Sequence, residues 1–347
     1  MLRDEAALAR FSSPRARIGI PSGTLQYSRG ACRARDRTSR DVLEVRHKGS
    51  KRPAFVDVDL NNAKNEGMGP QPFLKWPGGK RWLTPLLVRI IRRELKRTYF
   101  EPFLGAGAVF LSLSPPRAVL SDSNGNLISN LRIIRKHAAA VVKAVHRFSN
   151  TKQCYYKIRQ MTTRSDISRA ARFLYLNRTC WGGIYRLNKA GRFNVPFGNS
   201  GRVICETRNV IDVAQLLRRA TIKCADFEKV VGKAGEGDVV YADPPYTTRG
   251  QNNGFVRYNE RLFAWSDQER LASACRHAAR RGAFVVVSGL WHPDLLGLYT
   301  DWWAIRLSRV STVSRELGGR REISEALLFS RKPELPGLGV WLCNRFC

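Results

Sequence analysis

The segment Val239-Val240-Tyr241-Ala242-Asp243-Pro244-Pro245-Tyr246 constrains the fold more than any other stretch of the 347-residue chain. An unbroken apolar run predicts a strand that leads straight into a carboxylate and two prolines. Two successive prolines end it, because proline has no N–H to give a sheet ladder. Asp243 is thereby placed at the carboxyl edge of a sheet, where open α/β sheets bind ligands. The chemistry of an exocyclic base amine gives each residue type a use. Such an amine is a weak nucleophile, since its lone pair is delocalised into the ring. A carboxylate and a backbone carbonyl that both accept its hydrogens draw them out of plane and aim the lone pair at an electrophile. The prolines fix the carbonyl, and Tyr246 offers a face on which a flipped base can stack. The alternative, for the tetrapeptide taken alone, is a Pro-Pro turn after an ordinary strand.

Phe100-Glu101-Pro102-Phe103-Leu104-Gly105-Ala106-Gly107 reads as a second strand followed by a glycine turn. Gly-x-Gly lets backbone approach a ligand closely. The third glycine of a dinucleotide fingerprint is missing, which suits an adenosyl ligand without a pyrophosphate. Ala118 to Ser121 is another short strand, and Asp122 at its end is placed to hold ribose hydroxyls. Phe73-Leu74-Lys75-Trp76-Pro77-Gly78-Gly79-Lys80 reads as a loop before a helix. That helix spans Trp82 to Arg97, with Leu83, Leu86, Leu87, Ile90, Ile91 and Leu95 at three- and four-residue spacing. Strand signals return at Asp238 to Ala242 and Ala283 to Ser288, with a helix from about Asp267 to Arg281 between them. Between about 130 and 230 the pattern is mostly helical, interrupted by a polar, Gly-rich segment from Asn177 to Asn199. The alternation predicts an α/β sheet domain with the middle block inserted between its halves. Within that block, Trp181, Arg186, Arg192 and Phe193 interleave Arg and aromatic side chains. Such a surface suits phosphate contact, guanine readout and wedging into a base stack, or is a solvated hairpin with a few core aromatics.

Charge favours a polyanionic partner. The net charge is +32, and residues 1–70 contribute little of it, with 14 Lys+Arg against 8 Asp+Glu. The surplus lies in the folded part, and nucleic acid is the commonest partner for such a field; a generally basic protein is the alternative. Residues 1–70 show little sustained periodicity and read as a poorly ordered basic leader, with order expected from about Pro72 and Met68 a candidate start. No secretory signal or membrane span is evident, so a cytoplasmic location is expected. The eight cysteines, Cys32, Cys154, Cys180, Cys205, Cys224, Cys275, Cys343 and Cys347, form no C-x-x-C pair, and no metal site is expected.

Together and in this order, the four segments resemble the Dam-type DNA adenine N6-methyltransferases of the D12 class, over about Pro72 to Lys332. The resemblance implies a Rossmann-like S-adenosylmethionine-dependent methyltransferase domain at 71–130 and 222–332. It also implies a mostly helical target recognition domain inserted at 131–221, with a leader at 1–70 and a tail at 333–347. It implies further that Trp76, Lys80, Asp122 and Asp243 bind S-adenosylmethionine, with Phe103, Gly105 and Gly107 lining the same pocket. Asp243, Pro244, Pro245 and Tyr246 would hold the flipped adenine. Lys75 and Arg186 match positions that reach guanines, and Trp181 matches an intercalating aromatic. The implied partner is double-stranded DNA, with GATC a candidate site, bound by a monomer. Arg309 to Leu328, with Gly318-Gly319, is similar to the family's closing motif. Two positions depart from the pattern: Gly182 stands where family members commonly carry Asn, and Ser288-Gly289 stands where Ser-Asn is common. RNA adenine methylation, cytosine-N4 methylation of DNA and DNA binding without catalysis are the competing readings. Intact Asp243, Asp122, Gly105 and Gly107 speak against the last.

Overall fold

A computed structural model describes residues 41–46, 54–58, 69–188, 190–198, 205–249, 263–310 and 322–334. A nine-stranded mixed sheet organises them, in the order β2-β1-β8-β9-β7-β6-β3-β4-β5. Its parallel centre comprises β3 (Tyr99–Glu101), β4 (Ala118–Asp122), β5 (Ala220–Cys224), β6 (Val239–Ala242) and β7 (Phe284–Leu290). β8 (Trp303–Val310) and β9 (Glu322–Phe329) pair antiparallel, with β9 also antiparallel to β7. From β3 the chain steps outward to β4 and β5, then returns to β6 on the other side of β3. The switch point, where α/β sheets open a crevice, therefore lies between β3 and β6.

Helices cover both faces. Val239 and Tyr241 point to the core shared with α1 (Thr84–Glu94), α2 (Ala108–Leu113), α3 (Gly125–Val145) and α6 (Thr207–Leu217). Their neighbours Val240 and Ala242 point to the core shared with α7 (Phe227–Val231), α8 (Trp265–Arg280) and α9 (Pro293–Gly297). The alternation follows from the two-residue period of a strand, and the unbroken apolar run in β6 from burial on both faces. A third, smaller core of Tyr155, Ile158, Tyr175, Leu176, Cys180, Phe193 and Val195 joins α4 (Lys152–Gln160), α5 (Asp166–Thr179) and the hairpin after α5.

The structure differs from the sequence reading in four places. The leader carries β1 (Asp41–Arg46) and β2 (Ala54–Val58), which pair with each other and, through β1, with β8. Their short apolar runs, Val42-Leu43 and Ala54-Phe55-Val56, are lost among the surrounding charged residues. The block between 130 and 230 contains β5, whose Ala-Thr-Ile-Lys-Cys has one exposed side as an edge strand does. β8 and β9 had no strand prediction at all. The expected boundaries at 130/131 and 221/222 fall inside α3 and β5, and α3 and α6 share the sheet's own core. Gly318, Gly319, Met68 and most of the expected leader and tail lie outside the described residues. Among those residues no helix is long and apolar enough to cross a membrane.

Candidate active site

Strand register brings Asp243 and Ser288 together. Ala242 pairs with Val287, so the next residue on each strand stands side by side at the carboxyl edge. The Ser288 hydroxyl donates to Asp243 Oδ1 at 2.7 Å, and Tyr241 OH lies 3.2 Å from Ser288 Oγ. Lys80 reaches the same carboxylate from the loop before α1, with Nζ 3.0 Å from Oδ1. It also lies 3.8 Å from Glu325 Oε2 on β9 and 4.7 Å from the centre of the Tyr246 ring. Lys80 is 5% exposed and Glu325 2%, so water does little to screen this cluster. Burial, then the charges of Asp243 and Glu325, push the Tyr246 hydroxyl well above its ordinary range. The tyrosine therefore stays neutral beside the carboxylates.

Across the switch point, the chain leaves β3 and turns sharply. Gly105 (φ 50°) and Gly107 (φ 69°) both adopt the left-handed region that favours glycine. The Gly105 N–H donates to Asp122 Oδ2 at 3.0 Å, and the Asn124 N–H to Oδ1 at 2.9 Å. Burial raises the Asp122 carboxyl, and these backbone N–H groups oppose it. Each oxygen keeps a further lone pair for a ligand hydroxyl. A Cβ at Gly105 would lie 2.9 Å from Trp76 Cδ1, so the indole rests directly on the turn. Phe103 stacks on Phe227 at 5.4 Å and meets Phe263 edge-on at 5.7 Å, which makes an aromatic wall beyond β3.

The hairpin after α5 is built differently. A 3-10 turn, Trp181–Gly183, leads into bridges at Cys180↔Phe197 and Leu187↔Phe193. Tyr155 beneath it donates its hydroxyl to the Val195 carbonyl at 2.8 Å. Trp181 is 57% exposed, the single exposed large apolar side chain among the described residues. Gly182 has φ 63°, and asparagine is among the side chains that best tolerate that conformation, so the departure leaves the turn's shape intact. Arg186 Nε donates to Asn194 Oδ1 at 2.9 Å, which holds the guanidinium along the hairpin. Lys75 Nζ donates to the Arg178 carbonyl at 3.1 Å. Burial, with the Arg178 charge, pulls the Lys75 ammonium below its ordinary range.

The structure thus gathers Lys80, Asp243 and Tyr246 in one cluster and Trp76, Gly105 and Asp122 in another. Trp181 and Arg186 lie on the hairpin, with Lys75 packed against its Gly183. Sequence reasoning gave no role to Glu325, Phe227, Phe263 or Asn177, and named Ser288 only as a strand end and beside the departure at Gly289. Pairing the two predicted strands in register was the available signal for Ser288. Gly289 has a packing reason: a Cβ there would lie 2.4 Å from Leu295 Cδ2 in α9. Among the described residues no group of three or more His, Cys, Asp or Glu side chains is arranged to hold a metal.

Comparison with known proteins supports the same assignment. A model of D12 class N6 adenine-specific DNA methyltransferases matches residues 76–307. The chain is 31% identical to a type II methyltransferase, M1.LlaDCHI, of Lactococcus lactis subsp. cremoris, over 78% of this chain and 98% of that one. It is 32% identical to the type II methyltransferase M.MjaIII of Methanocaldococcus jannaschii, over 69% of this chain and 91% of that one. It is also 32% identical to the DNA adenine methylase of Escherichia coli, over 75% and 95%. With the carboxylate edge, the glycine turn and these relatives in agreement, the chain belongs to the D12 class of N6 adenine-specific DNA methyltransferases.

Proposed function

We propose that the chain transfers a methyl group from S-adenosylmethionine to N6 of an adenine flipped out of duplex DNA, with GATC the sequence to test first. The observation that carries this reading is Asp243 at the carboxyl edge, held by Ser288 and Lys80 beside the Tyr246 ring. The residues suit the cofactor. Gly105 brings backbone to a place where a Cβ would collide with Trp76, and Asp122 offers an acceptor beside it. Phe103, Phe227 and Phe263 give apolar surface for an adenosine, while Lys80 supplies a cation for the methionine carboxylate. When bound, the cofactor supplies an electrophilic methyl group.

The chain's own residues do the rest. Asp243 and the adjoining backbone carbonyl accept hydrogen bonds from the adenine amine and localise its lone pair. Tyr246 stacks on the base, which repays part of the few kcal/mol that flipping costs. Ser288 and Lys80 fix the carboxylate, so no reorganisation is needed when the amine attacks. Trp181 fills the space the base leaves, and Lys75 and Arg186 read guanine edges. The experiment is expression in a host that lacks adenine methylation, followed by sequencing that reads methylated bases directly. N6-methyladenine at one recurring sequence is expected. Methylated cytosine, or no modified base from a well-folded protein, overturns the proposal.

A further inference from the structure

Asn177 lies in the last turn of α5 and is fully buried. Its Oδ1 accepts from the Lys75 N–H at 2.8 Å, and its Nδ2 donates to the Lys75 carbonyl at 2.7 Å. Nδ2 also donates to the Gly183 carbonyl at 3.2 Å. One amide side chain therefore satisfies both backbone polar groups of a loop residue and a carbonyl in the turn that displays Trp181. Only a side chain carrying both acceptor and paired donors can do this. The two segments it joins are also in close contact. A Cβ at Gly183 would lie 2.3 Å from Lys75 Cβ. Trp76 follows Lys75 directly and rests on Gly105, whose N–H holds Asp122. A short, packed path thus runs from the exposed Trp181 turn through Asn177 and Lys75 to the Trp76–Gly105 contact.

We infer that Asn177 is a positioning residue that couples the DNA-facing turn to the cofactor loop, so that the cognate duplex and the cofactor strengthen each other's binding. The inference rests on the function proposed above. Buried backbone groups left without partners are costly, so the loop and the turn hold their places only while Asn177 serves both. DNA that fixes the Trp181–Gly183 turn thereby fixes Lys75, and with it Trp76 against Gly105. Linkage makes the effect reciprocal: cofactor seated against Trp76 favours the turn that DNA selects.

Titration calorimetry on the full chain tests this, with S-adenosylhomocysteine as the probe. It is run without DNA, with an unrelated duplex, and with a duplex carrying the site found by methylation sequencing. In the unmodified protein the cognate duplex is expected to tighten probe binding about fivefold or more relative to the unrelated one. In Asn177→Ala that ratio falls to about one, whatever the affinity for the probe alone. Leu271→Ala hollows the core under α8 and touches neither segment, so it keeps the ratio. A ratio of one in the unmodified protein, a ratio that survives Asn177→Ala, or one that Leu271→Ala abolishes equally overturns the inference. If Asn177→Ala does not fold, amide exchange of the peptide containing Trp181–Gly183 in the unmodified protein, with S-adenosylhomocysteine and no DNA, decides. Slowing by the probe supports the coupling, and unchanged exchange overturns it. Failure of the proposed function shows separately, as the absence of N6-methyladenine from DNA exposed to the unmodified protein.

Discussion

The carboxyl edge of the sheet and the hairpin after α5 solve opposite problems. At the edge, charges are buried and held against one another: Lys80, 5% exposed, faces Asp243 at 3.0 Å and Glu325 at 3.8 Å. The hairpin exposes its key side chain instead, and a separate aromatic core with a few backbone hydrogen bonds supports it from below. Methyl transfer needs dipoles that do not relax, which requires a dry and fixed cluster. Site recognition needs groups that exchange water for a base edge or a stacked base, so their folded state cannot depend on them. The contrast has a consequence: substitutions at the edge should cost stability and rate, and substitutions on the hairpin should cost DNA binding with little loss of stability.

Lys80→Met gives the largest expected effect on folding. It removes the cation between Asp243 and Glu325, and leaves carboxylates with little water around them. Breaking such a buried pair costs about 3–5 kcal/mol, measured as the unfolding free energy in urea. A loss below about 1 kcal/mol would show the cluster to be as relaxed as a surface pair, and the contrast would fail. Asp243→Ala is expected to slow single-turnover methylation by about 10³-fold or more, with duplex binding in a gel-shift assay close to normal. Near-normal turnover would remove the tetrapeptide from catalysis.

The hairpin side predicts smaller numbers of a different kind. Trp181→Ala should change unfolding free energy by no more than about 0.5 kcal/mol, because the side chain is mostly exposed. Duplex binding should weaken by about 1–3 kcal/mol, the usual worth of an aromatic stacked on bases. Arg186→Ala should cost about 1–3 kcal/mol at one base position in a panel of singly altered duplexes. An equal loss on every duplex would make Arg186 a phosphate contact and sharpen the division within the hairpin itself.

What could be read from the sequence divides by range of interaction. Asp243, Gly105, Gly107 and Asp122 are legible because each is fixed by its immediate neighbours: two prolines, a left-handed turn, the end of a short apolar strand. Trp181 and Arg186 were legible through the interleaving of aromatic and basic residues, and through family resemblance. Ser288, Glu325 and Asn177 were not, since each matters through a partner at least 45 residues away, as in the Ser288–Asp243 bond. The same holds for strands. β6 declares itself by burial on both faces, whereas β5, at the edge, shows only Ala-Thr-Ile-Lys-Cys. β8 and β9 take their identity from pairing with each other.

A further predicted effect concerns pH, and it too separates the two regions. Glu101, at the end of β3, is 3% exposed and accepts from Tyr99 OH at 3.0 Å. Burial raises its carboxyl to about 8; the Tyr99 bond opposes this and the Asp243 charge adds to it. Folded protein therefore holds a proton that the unfolded chain has lost above the ordinary carboxyl value of 4.5. Its contribution to stability is full below that value, declines as pH rises, and is lost through about pH 8. Between pH 6 and 8 the unfolding free energy should fall by about 2 kcal/mol from this group alone. Glu101→Gln keeps an acceptor for Tyr99 but has no proton to lose, so its urea midpoint should drift less with pH over that interval. At the hairpin, burial pushes Tyr155, Tyr175 and Cys180 upward, away from this window. Equal drift in the protein and in Glu101→Gln would mean that Glu101 is already ionised when folded, adding a third buried negative charge to Asp243 and Glu325 around the single cation Lys80.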